Sequence, residues 1–442
     1  MQLGRHLDKG LWALMSNVAK AFYGFFFTLW LMTVTPKEAW GVFFLIQQSY
    51  MILGHLAMSL AMHPYIKFFY EEKENLVTLQ SCALILCVSI SALGAGFFIF
   101  SAEALSVWFE VPNDHQIFYF VPLLFLASAG KLISNEIFKA THQLKEFFFT
   151  EVVYFSGNII IILYLYFSLG AITRPRQILV PMLVSYTLSS LSGIWFARKS
   201  LRWGFRFDLP LFKKMFNFGK YTAGTLTASS VYTYADVYIV GLFANPETVA
   251  LLSAVKIAVH GFQMYRQAMT MLGFPVFARL HSEKRKADLK ALYEKSVYYS
   301  LLVLGGLSVG LILFADLLFD YVLTKYQGGA GLLRLYAVAG LFIGWQVVGE
   351  AYLYGVGKAG KPFYARIFAG VLNLLLNIVL VQWLDVYGAI LATLITFAFL
   401  AATTTYFARQ EVSFSLKGVF QRRKDALVFV RQYLHRRKDL SK

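Results

Sequence analysis

Charged residues are scarce in this sequence. Asp, Glu, Lys and Arg make up only 15% of its 442 residues, whereas 58% are hydrophobic. A soluble domain carries about 25% charged residues and shows no succession of apolar stretches of ~20 residues. The deficit therefore excludes an ordinary soluble protein and favours a polytopic membrane protein.

Cysteine is almost absent, and the usual catalytic motifs are missing. Cys82 and Cys87 lie five residues apart in one apolar run, which is neither a metal-ligand spacing nor a disulfide framework, so we interpret both as buried apolar thiols. The chain has no phosphate-binding glycine loop, no His-Glu-x-x-His and no Gly-x-Ser-x-Gly, and its loops are too short for a catalytic domain. We expect no enzymatic activity, no cofactor and no metal site.

Long apolar runs separated by charged or turn-rich breaks predict an all-α fold with twelve transmembrane helices. The first run is too long for the hydrophobic region of a signal peptide and lacks a small-residue cleavage site, so we interpret it as a true span. The predicted spans are 11–34, 39–62, 76–101, 117–140, 147–169, 178–197, 216–243, 247–275, 296–323, 331–355, 362–384 and 387–408.

The distribution of Lys and Arg predicts the orientation. Even-numbered loops are basic, most strongly at 198–214 and 279–295, and both termini are basic as well. By the positive-inside rule, both termini are expected in the cytoplasm, and the net charge of +17 requires no nucleic-acid partner. The basic tail, 409–442, is open to two interpretations, a segment that binds anionic lipid or a solvated terminus.

The two halves of the chain resemble each other. Matched residues occur at offsets that grow slowly from 210 to 218, as small loop insertions would produce. Each half contains six predicted spans, so the repeats share one orientation, and substrate is handled at their interface in such proteins. The matched pairs are Pro36 and Pro246, Pro64 and Pro275, Glu136 and Glu350, Glu151 and Arg366, Asn158 and Asn373, and Gly170 and Gly388.

This repeat predicts two pseudo-symmetric six-helix bundles around a central cavity. The N-terminal lobe covers 1–200 and the C-terminal lobe covers 216–408, with a cytoplasmic linker at 201–215 and the tail at 409–442.

Ionisable residues inside the predicted spans are the candidates for function. An ionisable group in hydrocarbon costs several kcal/mol unless it faces a cavity or a partner. Five of the eight are cations, which favours a water-filled interior prepared for an anion. They are Lys20, Lys131, Glu136, Asp236, Lys256, Arg266, Glu350 and Arg366.

We predict that Lys256, Arg266 and Arg366 bind an anionic substrate, because unpaired cations are too costly in a packed membrane core. Lys20 is a fourth candidate cation. His260 and Gln263 lie on the same helical face as Lys256 and are included as substrate-binding candidates.

The three acidic residues have other predicted roles. Asp236 either pairs with one of the cations or couples transport to an ion. Glu136 and Glu350 precede predicted cytoplasmic turns and are gate candidates, or form salt bridges to nearby lysines. Lys131 has no assigned role.

Several short segments make the chain resemble a known group of transporters. They are Asp236-Val-Tyr-Ile-Val-Gly241, Phe274-Pro275 and Gly355-Val-Gly-Lys-Ala-Gly-Lys-Pro362. Together with the twelve-span duplication, they resemble the lipid-linked oligosaccharide flippases of the multidrug/oligosaccharidyl-lipid/polysaccharide exporter superfamily, which move O-antigen and capsular repeat units.

The resemblance implies a function. It implies alternating access in the bacterial cytoplasmic (inner) membrane, where a polyprenyl-pyrophosphate-linked glycan is moved outward for lipopolysaccharide or other surface polysaccharide biosynthesis. Membrane lipids, a polysaccharide polymerase and chain-length machinery are the implied partners. The driving force is left open between Na⁺, H⁺ and the membrane potential.

The alternative is a cation-coupled efflux transporter of the multidrug and toxin extrusion type. Those transporters share the twelve-span duplication but favour acidic cavities, whereas the candidate cavity residues here are mostly basic.

Overall fold

The computed structural model describes residue 12 and residues 15–69, 71–111, 114–141, 143–201 and 204–422. Within these ranges the regular structure is helical and includes no strand, which confirms the predicted all-α class. Most of the basic tail, at 423–442, lies outside the described residues.

The principal helices follow the apolar runs of the sequence. We number them in chain order and use these labels below. They are α1 (15–34), α2 (Lys37–Phe68), α3 (Leu76–Trp108), α4 (His115–Thr141), α5 (Leu144–Leu169), α6 (Arg176–Ala197), α7 (Leu209–Phe243), α8 (Pro246–Ala258), α9 (His260–Ser282), α10 (Lys286–Leu313), α11 (Gly329–Gly355), α12 (Gly360–Glu411) and α13 (Leu416–Gln421).

Among the described residues, eight helices are long and apolar enough to cross a membrane: α2 to α6 and α10 to α12. The 52 residues of α12 would extend for about 78 Å if straight, more than twice the ~30 Å of a hydrocarbon core. The helix bends at Asp385, between the predicted spans 362–384 and 387–408. The predicted span 247–275 differs, because Val259 interrupts it between α8 and α9. A total of twelve crossings stays a prediction.

The chain divides into two compact units. Unit 1 runs through Ile257 and includes Phe319–Gln327, whereas unit 2 comprises Ala258–Leu318 and the chain from Gly328 onward. These units are defined by packing and differ from the lobes 1–200 and 216–408, which were inferred from the repeat. The lobes and the linker at 201–215 therefore stay predictions.

A duplicated Gly-Ala-Ile sequence lies at the same turn in both halves. Gly170 ends α5 with φ of 74°, a left-handed conformation that favours glycine. Gly388 follows the bend in α12, where a Cβ atom would lie 2.1 Å from the carbonyl oxygen of Leu380. Both positions need glycine, one for its conformation and the other for a close backbone approach.

The bend at Asp385 stores backbone strain that a substitution can release. Its φ of 49° and ψ of −130° are unfavourable for a residue with a Cβ atom. We expect Asp385→Gly to stabilise the protein by about 1 kcal/mol, seen as a higher unfolding temperature in detergent micelles. The control, Leu375→Gly, changes an exposed residue within the first segment of α12 and should lower stability by about 1 kcal/mol, because glycine weakens a helix interior. An Asp385→Gly protein no more stable than the parent would contradict the strain.

Candidate functional site

Two lysines share one buried carboxylate in unit 1. The Nζ atom of Lys131 lies 3.3 Å from Oε2 of Glu151, and the Nζ atom of Lys20 lies 3.9 Å from Oε1. Asn135 donates a hydrogen bond of 2.7 Å to the same Oε1 atom. Glu151 and Lys131 are only 5% and 7% exposed, whereas 41% of the Lys20 side chain is accessible. We call these four residues the Glu151 cluster, and its formal charge is +1.

The short connection between α4 and α5 places this cluster. Asn135 lies six residues before the end of α4, and Glu151 lies seven residues after the start of α5. Both are therefore about 10 Å from the turn that joins the helices. Lys131 lies one turn deeper, where its Nζ atom is 4.3 Å from the centroid of the Tyr154 ring. Carboxylate and ring together stabilise a cation that would otherwise be costly to bury.

Unit 2 contains a second cluster that also consists of two cations, one carboxylate and one side-chain amide. Arg366 donates two hydrogen bonds to Glu350, from Nε to Oε1 at 3.1 Å and from Nη2 to Oε2 at 2.8 Å. Gln346 donates a third, of 3.0 Å, to Oε1. Arg266 also interacts electrostatically with Glu350. Two cations thus act on one carboxylate that is 4% exposed. We call these four residues the Glu350 cluster, and its formal charge is also +1.

The two clusters occupy positions that the predicted repeat matches to each other. Asn135 and Glu151 are 16 residues apart and hydrogen-bonded, as are Glu350 and Arg366. The same offset of 215 relates Asn135 to Glu350 and Glu151 to Arg366. The contacts therefore align Glu350 with Asn135, one position away from the match with Glu136 that the sequence suggested. In unit 1 the carboxylate lies on the second helix of the pair, as Glu151 of α5. In unit 2 it lies on the first helix, as Glu350 of α11.

A separate buried ion pair joins α7 and α8. Lys256 of α8 donates a hydrogen bond of 2.6 Å to Oδ1 of Asp236 in α7 and another of 2.8 Å to the carbonyl of Thr233. Oδ1 of Asp236 also accepts from the backbone N–H of Val237 at 2.9 Å. Asp236 is 1% exposed. Of the two interpretations of Asp236, the structure contains the ion pair.

The predicted anion-binding residues are distributed between these sites. Arg266 and Arg366 act on one carboxylate, and Gln263 lies 3.5 Å from Nη1 of Arg266. Lys256 belongs to unit 1, and its convergence with the two arginines stays a prediction. His260, the first residue of α9, is half-buried.

The two gate candidates have different partners. Glu136 forms an ion pair with Lys139, one turn along α4. Glu350 pairs with Arg366, whereas the nearby lysines Lys358 and Lys361 contact Glu411. Glu136 thus has a lysine partner of the kind the sequence suggested, and Glu350 does not.

Sequence reasoning missed Glu151 as a site residue and left Lys131 without a role. The available signal was the offset of 215 that matches Glu151 to Arg366, together with the one-turn spacing of Lys131 and Asn135 on a single helical face. In the part of the chain that the structure describes, no three His, Cys, Asp or Glu side chains come together as a metal site requires.

Comparison with protein families and sequences gives three findings. A family model described as "Polysaccharide biosynthesis protein" matches residues 72–328. The uncharacterized membrane protein MJ1375 of Methanocaldococcus jannaschii is 25% identical over 361 residues, which cover 75% of this chain and 80% of the relative. The probable low-salt glycan biosynthesis flippase Agl15 of Haloferax volcanii is 23% identical over 193 residues, which cover 43% of this chain and 41% of the relative.

Solved structures share the fold across most of the chain. The lipid II flippase MurJ in an inward closed conformation matches with a TM-score of 0.70 at 14% identity, covering 97% of this chain and 93% of that one. An inward-facing multidrug resistance MATE family transporter of the MOP superfamily matches with a TM-score of 0.72 at 14% identity, covering 90% and 94%. At such identities the likeness concerns the fold alone.

Proposed function

Because the chain belongs to the polysaccharide biosynthesis protein family, we propose that it is a flippase for a polyprenyl-pyrophosphate-linked oligosaccharide. In this proposal, it moves the glycan across the cytoplasmic membrane by alternating access, for surface polysaccharide biosynthesis. The name of the relative Agl15 and the fold shared with MurJ support this assignment over other membrane proteins.

The observation that carries the proposal is the predominance of basic side chains in each cluster. Lys20 and Lys131 act on Glu151 in unit 1, and Arg266 and Arg366 act on Glu350 in unit 2. Two basic side chains surround one carboxylate in each cluster, so an incoming anion would meet a mostly basic environment there. Buried charge of this sign suits phosphate and is unsuited to a cationic substrate.

The pairing also explains how an anion could bind reversibly. A guanidinium group presents the same two-pronged donor geometry to a carboxylate and to a phosphate. In the resting protein Glu350 occupies the donors of Arg366, which avoids the cost of an isolated buried charge. The pyrophosphate would take over these donors during transport and return them to Glu350 on release.

The remaining roles follow the predicted orientation. Asp236 is the proposed coupling residue. If Na⁺ or H⁺ bound its carboxylate in place of Lys256, the buried ion pair between α7 and α8 would break. Glu136 and Glu350 remain proposed gate residues near the predicted cytoplasmic turns. A polymerase and its chain-length machinery are the proposed recipients of the product.

Cation efflux of the multidrug type is the competing function for this fold. It is disfavoured here, because Glu151, Asp236 and Glu350 each already have a basic partner within 4 Å. A cationic drug would have to displace that partner, leaving two cations in one buried site.

Transport by the purified protein in proteoliposomes distinguishes the two functions. We expect lipid-linked oligosaccharide to become accessible to an added glycosidase across the bilayer, while a cationic dye is not moved. The control variant Lys286→Gln changes an exposed cation at the start of α10 and should transport at the parental rate. Dye efflux without movement of the glycan would overturn the proposal in favour of the drug exporter.

A further inference from the structure

An apolar groove of about 720 Å³ runs along unit 1 between α3 and α4. On α3 its wall consists of residues that recur every three or four positions and so occupy one helical face. Alanines at positions 92, 95 and 129 leave the depth that larger side chains would fill. The α3 wall residues include Leu84, Val88, Ala92, Ala95 and Ile99.

The groove lies where hydrocarbon chains, and no water, are available to fill it. From Leu84 to Ile99 it extends for about 22 Å along α3, most of the ~30 Å hydrocarbon thickness. Only 17% of the apolar window of α3 is buried within the protein. Val88 and Leu126, on opposite walls, are 64% and 70% exposed. The occupant must therefore be an extended hydrocarbon chain.

One end of the groove leads to a polar, basic region. A smaller chamber shares Met62, Leu84 and Ile133 with the groove and extends to Leu201 and Gly204 in the loop between α6 and α7. Gln80 and Tyr65 also line this chamber, and Gln80 donates a hydrogen bond of 3.3 Å to the hydroxyl of Tyr65.

The segment 198–214, of which Leu201 and Gly204 line the chamber, contains six cations and one carboxylate in its sequence. Among the cations, Arg198, Lys199 and Arg206 are exposed. Lys214 contacts Glu71 and Glu72, and the hydrogen bond to Glu72 raises the pKa of this lysine. The exposed cations are placed to attract an anionic headgroup.

We infer that the groove docks the prenyl chain of the lipid-linked substrate, with its phosphate groups at the exposed cations Arg198, Lys199 and Arg206. This inference rests on the proposed function and adds a loading site outside the two charged clusters. A single groove suits one extended chain better than the two acyl chains of a phospholipid, and the basic end selects an anionic head. The prenyl chain would thus be held on the protein before the glycan enters.

Photo-crosslinking of the unmodified protein tests the inference directly. The probe is geranylgeranyl phosphate with a benzophenone at the end of its chain, added to the protein in phosphatidylcholine nanodiscs. We expect labelled peptides from α3 and α4, with labelling competed by unlabelled geranylgeranyl phosphate and not by phosphatidylglycerol. Labelling elsewhere, or equal competition by both lipids, would overturn the inference and, in the second case, identify a site for bulk lipid.

A matched pair of variants tests the groove itself. Ala92→Trp fills it, whereas Leu93→Trp changes the neighbouring residue of α3, which is 76% exposed and lies outside the groove. We expect Ala92→Trp to weaken labelling about tenfold, the effect of losing about two methylene groups' worth of apolar contact. Leu93→Trp should label like the parent, and equal labelling of both variants would contradict the assignment.

The outcome can be separated from that of the proposed function. If the protein moves lipid-linked oligosaccharide in proteoliposomes but is labelled elsewhere, the groove assignment alone fails. If it is labelled in the groove but moves no glycan, the proposed function fails and a prenyl-lipid binding site remains.

Discussion

Replacing Arg366 with Gln should abolish translocation of lipid-linked oligosaccharide and lower the free energy of unfolding by about 3–5 kcal/mol. The stability loss follows from burial, because Glu350 is 4% exposed and loses two hydrogen bonds from its guanidinium partner. The transport loss follows from the missing guanidinium, because an amide cannot supply the charged, two-pronged donors that a phosphate needs. Thermal unfolding in detergent and the glycosidase-accessibility assay measure the two effects separately.

The double variant Glu350→Gln with Arg366→Gln separates binding from folding. Two neutral amides can hydrogen-bond to each other, so part of the lost stability should return, although Arg266 loses the carboxylate it interacts with. Transport should stay absent, because the phosphate-binding guanidinium is still missing. A stable double variant that transports at the parental rate would mean that Arg366 only holds α11 and α12 together. The Lys286→Gln variant again controls for loss of surface charge.

Asp236→Asn should produce the second large effect. Lys256 would keep its hydrogen bond to the carbonyl of Thr233 but lose the carboxylate that compensates its charge. We expect a loss of stability of about 3 kcal/mol and the loss of gradient-driven accumulation. Adding Lys256→Gln should restore most of the stability, because the remaining pair is neutral.

The double variant Asp236→Asn with Lys256→Gln distinguishes a coupling role of Asp236 from a purely structural one. If Asp236 couples transport to an ion, the double variant should still equilibrate substrate across the bilayer but should not respond to an imposed Na⁺ or H⁺ gradient. Accumulation that responds to the gradient as in the parent would refute the coupling role. The measurement is substrate uptake into proteoliposomes with and without each gradient.

Much of the fold could be predicted from the chain because a bilayer imposes simple rules. Backbone polar groups in hydrocarbon must be satisfied within a helix, so each crossing requires a run of about 20 apolar residues. The predicted span 178–197 corresponds to α6, and 147–169 lies within α5. The interruption at Val259 was not predicted, because the apolar run continues across it and Gly261, two residues later, does not by itself mark a helix break. The resemblance to flippases was confirmed by the family match and the shared fold.

The sequence could identify most of the charged residues in the candidate site, but it could not show which of them pair with each other. Lys256 and Arg366 stand out in the sequence because charge is rare in apolar runs, but each has a carboxylate partner on another helix. Glu151 was overlooked as a site residue because one charge seven residues into α5 is unremarkable by itself. Only the packing of α4 against α5 brings it to Lys131.

The sequence by itself determined that this protein is an all-helical, multi-pass membrane protein, because hydropathy is a property of a linear chain. The internal repeat that the residue offsets indicate stays a prediction. Only the tertiary structure decided which charges neutralise one another. An ion pair depends on distances of a few ångströms between side chains on different helices, and these are set by helix packing. Of the eight intramembrane charges, five belong to the two clusters, two form the pair of Asp236 with Lys256, and Glu136 pairs with Lys139.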